Sequence, residues 1–262
     1  MSVHETAERG FQQGAGAYER GRPSYPPEAL EWLAAEARLH PGRVVVDVGA
    51  GTGKLTRALL SSGAELLAVE PVAAMRTVLE RAAPGARVLA GSAEELPLAA
   101  ASVDAIVVAQ AFHWFDGPRA LDEFHRVLRP DGRLALIWNR RRSEQSLWRS
   151  VEAIIGPHRG DTPTYDSGAW RNALERSELF APAGEFGIAW EQASEVEQFV
   201  DRVLSMSFVA ALPAGEREQL AGRLRQAVAG EARPLSLGYV CEIFLFEPLV
   251  GGASTSAPGG AG

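Results

Sequence analysis

Val44-Val45-Val46-Asp47-Val48-Gly49-Ala50-Gly51-Thr52-Gly53 is the stretch on which the fold turns. Five residues rich in β-branched side chains, apolar at adjacent positions, read as a strand covered on both faces, as in a parallel sheet. The strand runs straight into a glycine turn, and Lys54–Leu60 then opens a helix. Glycines at such a turn let the backbone bend sharply and let a ligand come closer than a Cβ would allow. The spacing is G-x-G-x-G. A dinucleotide site favours G-x-G-x-x-G, and a phosphate loop needs G-x-x-x-x-G-K-[ST]; neither is present.

Working outward, strands and helices alternate. Residues 26–39 are predicted as a helix before the strand, with Leu30, Leu33, Ala34 and Ala37 as its stripe. After the turn come a strand at 65–70, a helix at 73–83, a short strand at 86–89 and a very apolar strand at 103–109. A helix at 118–128 and a strand at 133–138 follow. This alternation predicts an α/β, Rossmann-like, doubly wound and mostly parallel sheet. Beyond Trp138 the pattern changes. Residues 143–178 read as largely helical, 186–190 as a strand, and 194–230 as two helices joined at Leu212-Pro213. Residues 238–246 read as a final, antiparallel strand. The expected organisation is one domain over 1–250, with its core at 26–140. Helical substrate-side insertions at about 141–180 and 194–230 form a cap, and a Gly/Pro-rich disordered tail spans 251–262.

Glu70 stands at the end of the second strand, where a carboxylate can accept both hydroxyls of a ribose. A lone glycine turn or a lone strand-end acid is commonly only a turn or a solvated charge. Together, in these elements and at this separation, they point to a nucleoside-type cofactor.

The residues from 44 to 138 resemble the class I S-adenosylmethionine-dependent methyltransferases. VVDVGAGTGKLTRAL is similar to the family's first motif, with Asp47 before the turn, and Glu70 matches its ribose-binding acid. Gly91-Ser92-Ala93-Glu94-Glu95-Leu96-Pro97 is similar to the segment that packs on the adenine. Val103–Val107 and Phe124–Gly132 match the fourth strand and the helix-turn before the fifth. Tyr18–Pro26 and Ala111–Asp116 resemble the trans-aconitate and ubiquinone-biosynthesis-like small-molecule enzymes. The resemblance implies S-adenosyl-L-methionine as cofactor, held by Asp47, Gly49, Gly51, Gly53, Glu70, Ser92, Ala93 and Glu94; Gln110, beside the end of the fourth strand, is expected at the methionine part or at the acceptor. Ser92 departs from the pattern, since the family often carries an acid there.

Methyl transfer from a sulfonium needs placement of a nucleophile and exclusion of water, and at most a base. His113, after the fourth strand, is the candidate catalytic base; the alternative is that His113-Trp114-Phe115 is a packing wall. Tyr18, Arg22 and Tyr25 are expected in a lid, with Arg22 paired to the cofactor carboxylate or to an acidic substrate. Arg140-Arg141-Arg142 follows the fifth strand and either attracts an anionic substrate or is a solvated face. Trp138 and Trp148 are expected as core or pocket wall. The five histidines show no metal-ligand spacing, so no metal is expected.

The expected partner is a small-molecule substrate, an anionic one if the arginines at 140–142 face it. A formal charge of −7 argues against nucleic acid, which rewards a basic face. No apolar run approaches the roughly 20 residues that span a bilayer, and the N-terminus has no signal-like apolar core, so no membrane association and a cytoplasmic location are expected. The lone Cys241 reads as a buried small hydrophobe. The competing functions are a nicotinamide-dependent oxidoreductase and a non-catalytic cofactor-binding protein.

Overall fold

A computed structural model describes Glu19 and residues 21–249. Tyr18 and the tail at 251–262 lie outside the described residues. The elements run α1 (Pro27–Glu36), β1 (Val44–Val48), α2 (Lys54–Leu59), β2 (Glu65–Val69), α3 (Ala73–Ala82), β3 (Arg87–Leu89), β4 (Val103–Ala109), α4 (Gly117–Val127) and β5 (Leu128–Arg141). Then come α5 (Ser146–Ile155), α6 (Ala169–Glu175), β6 (Phe180–Ser194), α7 (Val196–Leu204), α8 (Ser207–Ala210), α9 (Ala214–Ala227) and β7 (Leu235–Pro248).

The seven strands form one sheet in the order β3-β2-β1-β4-β5-β7-β6. The first five are parallel to one another, whereas β7 runs antiparallel to both β5 and β6. Strand order therefore reverses between β1 and β4. A crevice at such a switch point, outside the carboxyl ends of the strands, is where open α/β sheets take ligands. Gly49 follows β1 and Gln110 follows β4, so both stand at this crevice.

The sheet is covered on both faces, as the unbroken apolar runs of β1 and β4 require. Leu33, Leu55 and Leu59 of α1 and α2 pack on Val45, Val107 and Ile137, and Leu79 of α3 packs on Ala68. On the other face Leu121, Phe124 and Trp170 of α4 and α6 meet Val46, Ile106 and Trp138. A further core joins Trp148 and Val151 of α5, Phe199 and Val203 of α7, Leu224 of α9 and Tyr239 of β7. These helices stand beside the carboxyl end of β5, over the crevice side.

The later elements are longer than their sequence signal. The strand expected at 186–190 spans Phe180–Ser194, and the one expected at 238–246 spans Leu235–Pro248. Their mutual pairing over almost their whole length supplies the order that local pattern lacks. Pro182 is accommodated at a register shift on β6, an edge strand. The two helices expected over 194–230 are three, because a turn at Ser205 and Met206 separates α7 from α8. Among the described residues, no helix is long and apolar enough to cross a membrane.

Candidate active site

The glycine turn is built by left-handed backbone. Gly49, Gly51 and Gly53 have φ of +69°, +59° and +83°, a region that L side chains avoid. Its start is pinned to the neighbouring strand, with Gly49 N and Ala50 N donating to Val69 O at 2.9 and 3.2 Å. A Cβ on Gly53 would run into Leu79 of α3, away from the crevice. A Cβ on Gly49 would meet that of Ala111 at 2.9 Å. These two glycines thus have packing reasons of their own, whereas Gly51 bears on the site through its N–H.

That N–H donates to Oε2 of Glu70 at 2.9 Å, and Val72 N donates to Oε1 at 2.8 Å. The side chain is thereby fixed at the lip of β2 with only part of its acceptor capacity used, since a carboxylate offers about four lone-pair sites. Burial pushes the Glu70 carboxyl up, and the two backbone donors oppose that. Asp47, fourth in β1, is 2% exposed. Its Oδ2 accepts from Thr56 Oγ1 at 2.6 Å, and its Oδ1 has no donor among the described residues. Burial pushes the Asp47 carboxyl up to about 7, with Thr56 opposing and Glu70 adding to the rise. A buried acceptor without a donor suits a ligand that brings one.

The segment matched to adenine binding is tied down by its neighbours. Ser92 is half-buried and bridges to Glu95. Ala93 is part of the core. Glu94 accepts from Asp116 N at 3.0 Å, which links this loop to the start of α4.

Between β1 and β4 a small pocket is lined by Gly49, Ala50, Thr52, Lys54, Gln110 and Arg22. Gln110 holds φ +58°, an uncommon conformation for a residue with a side chain, and its N donates to Ile137 O at 2.9 Å. Such strain persists where the surroundings over-determine it, commonly at functional sites. Arg22, Gln110 and Arg202 also line a much larger adjoining cavity of about 450 Å³. Glu19 and residues 21–25 are strapped across this edge. Glu19 accepts from Thr52 Oγ1 at 2.6 Å, Asn139 Nδ2 donates to Ser24 O at 2.8 Å, and Gly21 packs on the backbone of Arg202.

His113 and Trp114 line the large cavity with Trp138, Trp148 and Tyr165. The Nδ1 atom of His113 is enclosed and has no partner among the described residues. Burial, reinforced by the charge of Arg22, pushes its pKa down to about 3, so the imidazole is neutral near pH 7 and a weak proton acceptor. The three consecutive arginines divide. Arg140 and Arg141 line the cavity, whereas Arg142 turns to Glu144 at 2.6 Å.

Arg202 escaped the sequence reading. It lies on α7 beside Phe199, Val200 and Val203, is 5% exposed, and lines both cavities. A cation on the apolar stripe of an otherwise amphipathic helix was the signal available. Tyr165 and Arg159 also went unread; they come from the irregular segment between α5 and α6, which has no periodicity to follow. Among the described residues, no group of three or more His, Cys, Asp or Glu is placed to hold a metal ion.

A Rossmann-like sheet with a left-handed glycine turn and an acid after the second strand is the arrangement in which open α/β folds take nucleoside cofactors. The family model described as "Methyltransferase domain" matches residues 46–136. A methyltransferase of Mycobacterium tuberculosis is 41% identical over 235 residues, covering 88% of this chain and 92% of that protein. A methyltransferase-like protein of Schizosaccharomyces pombe is 34% identical, covering 82% of this chain and 84% of its own length. Among solved structures, a protein of Anaeromyxobacter dehalogenans provisionally described as a type II methyltransferase is 26% identical. It covers 86% of this chain and 97% of its own, with a TM-score of 0.62. The chain belongs to the class I S-adenosylmethionine-dependent methyltransferases.

Proposed function

We propose that the protein binds S-adenosyl-L-methionine at the Gly49–Gly53 turn and methylates a small-molecule acceptor held in the cavity beside it. The observation that carries this reading is that the two spaces stand against each other and share part of their walls. The pocket at the turn and the cavity of about 450 Å³ share Arg22, Gln110 and Arg202. The cavity suits a small molecule, because pockets of roughly 300–1,000 Å³ enclose ligands of that class.

The residues fit the cofactor. Glu70 retains acceptor capacity for ribose hydroxyls, and the unpaired Oδ1 of Asp47 suits the ammonium of the methionine part. Arg22, on the strap that closes the pocket, suits its carboxylate. Ser92, Ala93 and Glu94 form the expected adenine side. When bound, the cofactor supplies a methyl group already activated by its sulfonium, open to in-line displacement.

The chain's remaining work is placement and exclusion of water. Trp114, Trp138 and Trp148 wall the cavity, and Arg22, Pro23 and Tyr25 line the pocket at the turn. We assign His113 a shielding and positioning role, since a pKa near 3 makes it a poor base at neutral pH. A screen with labelled cofactor tests the reading. Transfer to at least one small acceptor supports it, and cofactor binding with transfer to none favours a non-catalytic binding protein.

A further inference from the structure

A second hollow, of about 310 Å³, lies between α6 and the β6–β7 edge of the sheet. None of its lining residues lines the large cavity or the pocket at the glycine turn. Helical spacing brings Trp170 and Leu174 to its wall, with Arg171 and Glu175 beside them. The strands supply Phe180 and Glu185 of β6 and Phe244 and Phe246 of β7. Glu185 stands opposite Phe244 in the β6–β7 ladder, so the two side chains share a face.

The charged groups at this hollow differ in how far they are answered. Arg171 is engaged. Its guanidinium lies 4.8 Å from the Trp170 ring centroid and 4.9 Å from that of Phe244, and it hydrogen-bonds the Tyr165 hydroxyl. Glu175 follows Arg171 at the spacing of a helix ion pair, yet the two form none. Glu175 and Glu185 are both exposed, and neither has a hydrogen-bond or ion-pair partner among the described residues. Two unanswered carboxylates beside an aromatic floor are complementary to an organic cation. Aromatic faces bury a flat apolar body and attract positive charge, and carboxylates accept from ammonium donors. The volume is at the small end of the range that encloses small molecules, roughly 300–1,000 Å³.

Trp170 is the partition between this hollow and the large cavity. Its ring is tilted on Trp138 at 4.3 Å and on Tyr165 at 5.3 Å, and its Nε1 donates to Tyr165 O at 3.2 Å. Trp138 and Tyr165 both line the large cavity. A body seated on Trp170 therefore presses on that cavity's wall through side chains in direct contact.

We propose that the hollow is a second ligand site, taking a small aryl-alkyl amine as its ammonium form, and that Trp170 couples its occupancy to the wall of the large cavity. The bearing of this coupling on transfer rests on the function proposed above; the binding does not. The ligand's ring lies against Phe180, Phe244 and Phe246, and its ammonium is shared by Glu175 and Glu185.

The test uses the full chain with benzylamine as the probe, and benzyl alcohol and phenylacetate as its neutral and anionic counterparts. Calorimetry should show one benzylamine bound per chain with a Kd below about 1 mM, and binding of the alcohol and the acid weaker by roughly tenfold or more. Glu175→Gln and Glu185→Gln together should weaken benzylamine roughly tenfold while affinity for S-adenosylhomocysteine stays within about twofold of the parent. In isotope-labelled protein the indole N–H resonances of Trp170 and Trp138 should move together on titration, and Trp170→Phe should leave that of Trp138 still. Absence of benzylamine binding, equal binding of phenylacetate, or unchanged affinity in the double variant overturns the site. Displacement of benzylamine by S-adenosylhomocysteine, or its methylation, places it in the other two spaces and overturns the site as well. Binding gained only when residues 251–262 are removed gives the hollow to the chain's own tail. Binding gained only when a dimer seen in sedimentation dissociates gives it to a second copy. Either result overturns the amine assignment. Movement of the Trp170 resonance without that of Trp138 keeps the site and overturns the coupling. The transferase reading is judged separately, by S-adenosylhomocysteine binding and the acceptor screen.

Discussion

Glu70 and Gly51 are joined by a 2.9 Å hydrogen bond from the glycine N–H to Oε2 of the carboxylate. The bond joins the ends of two neighbouring strands, because Gly51 lies in the turn after β1 and Glu70 directly follows β2. The acid and the turn therefore hold each other in shape before any ligand arrives. Pre-set polar groups of this kind reduce the ordering cost of binding.

Asp47 should make cofactor binding depend on pH. Its carboxyl is raised from an ordinary 3.8 to about 7, and Thr56 and Glu70 are its polar neighbours. If the ionised form accepts the cofactor ammonium, affinity for S-adenosylhomocysteine should fall roughly tenfold from pH 8 to pH 6. Calorimetry across that range checks it, and Asp47→Asn should bind weakly with a flatter profile. The same shift acts on stability with a definite sign. The folded protein binds the proton more tightly than the unfolded chain, so stability is greatest below about pH 4 for this group and declines until about pH 7. Asp47→Asn should remove that decline, measured by urea unfolding of the ligand-free protein.

Gly53 should behave as a packing position. Alanine there would drive its Cβ into Leu79 and hold φ at +83°. Urea unfolding of Gly53→Ala should show a loss of about 2–4 kcal/mol, from overpacking and left-handed strain together. An unchanged midpoint would mean that α3 yields easily.

His113 should leave no ionisation in the rate. Its pKa near 3 places it outside the working range, so at saturating cofactor kcat should show no inflection near pH 6.5 that His113→Asn removes. Such an inflection would restore the histidine as a general base.

Arg202 should trade stability for binding. Replacing this buried cation by methionine removes the cost of its burial and of its repulsion by Arg22 and Arg141, which together outweigh the favourable contact with Tyr239 that is also lost. Ligand-free Arg202→Met should be more stable by about 1–2 kcal/mol, a Tm rise of roughly 2–8 °C in a domain of this size. A lower Tm would show that the guanidinium is part of the structural core.

The parallel half of the fold was legible because each element carries its own signal. β1 and β4 fall on the bounds their apolar runs imply, at Val44–Val48 and Val103–Ala109. Glu70 was legible as a candidate site residue because it follows the strand next to the glycine turn. The long pairing of β6 with β7 was only partly readable, since it depends on non-local partners rather than on local pattern. Arg202 was hidden for a related reason. Its meaning comes from burial against a cavity assembled by β5, α5, α7 and the segment at 159–166, which no sequence window contains. Gly53 was legible as a glycine, but its contact with Leu79 was not.

The most direct test of the central claim is calorimetric titration of the full chain with S-adenosylhomocysteine, alongside Glu70→Ala and with NAD as the competing ligand. The account predicts one molecule bound per chain, affinity lost by tenfold or more in Glu70→Ala as expected for roughly 1.4 kcal/mol or more of lost hydrogen bonding, and no heat from NAD. Binding of NAD in place of S-adenosylhomocysteine, or S-adenosylhomocysteine affinity unchanged in Glu70→Ala, would contradict it.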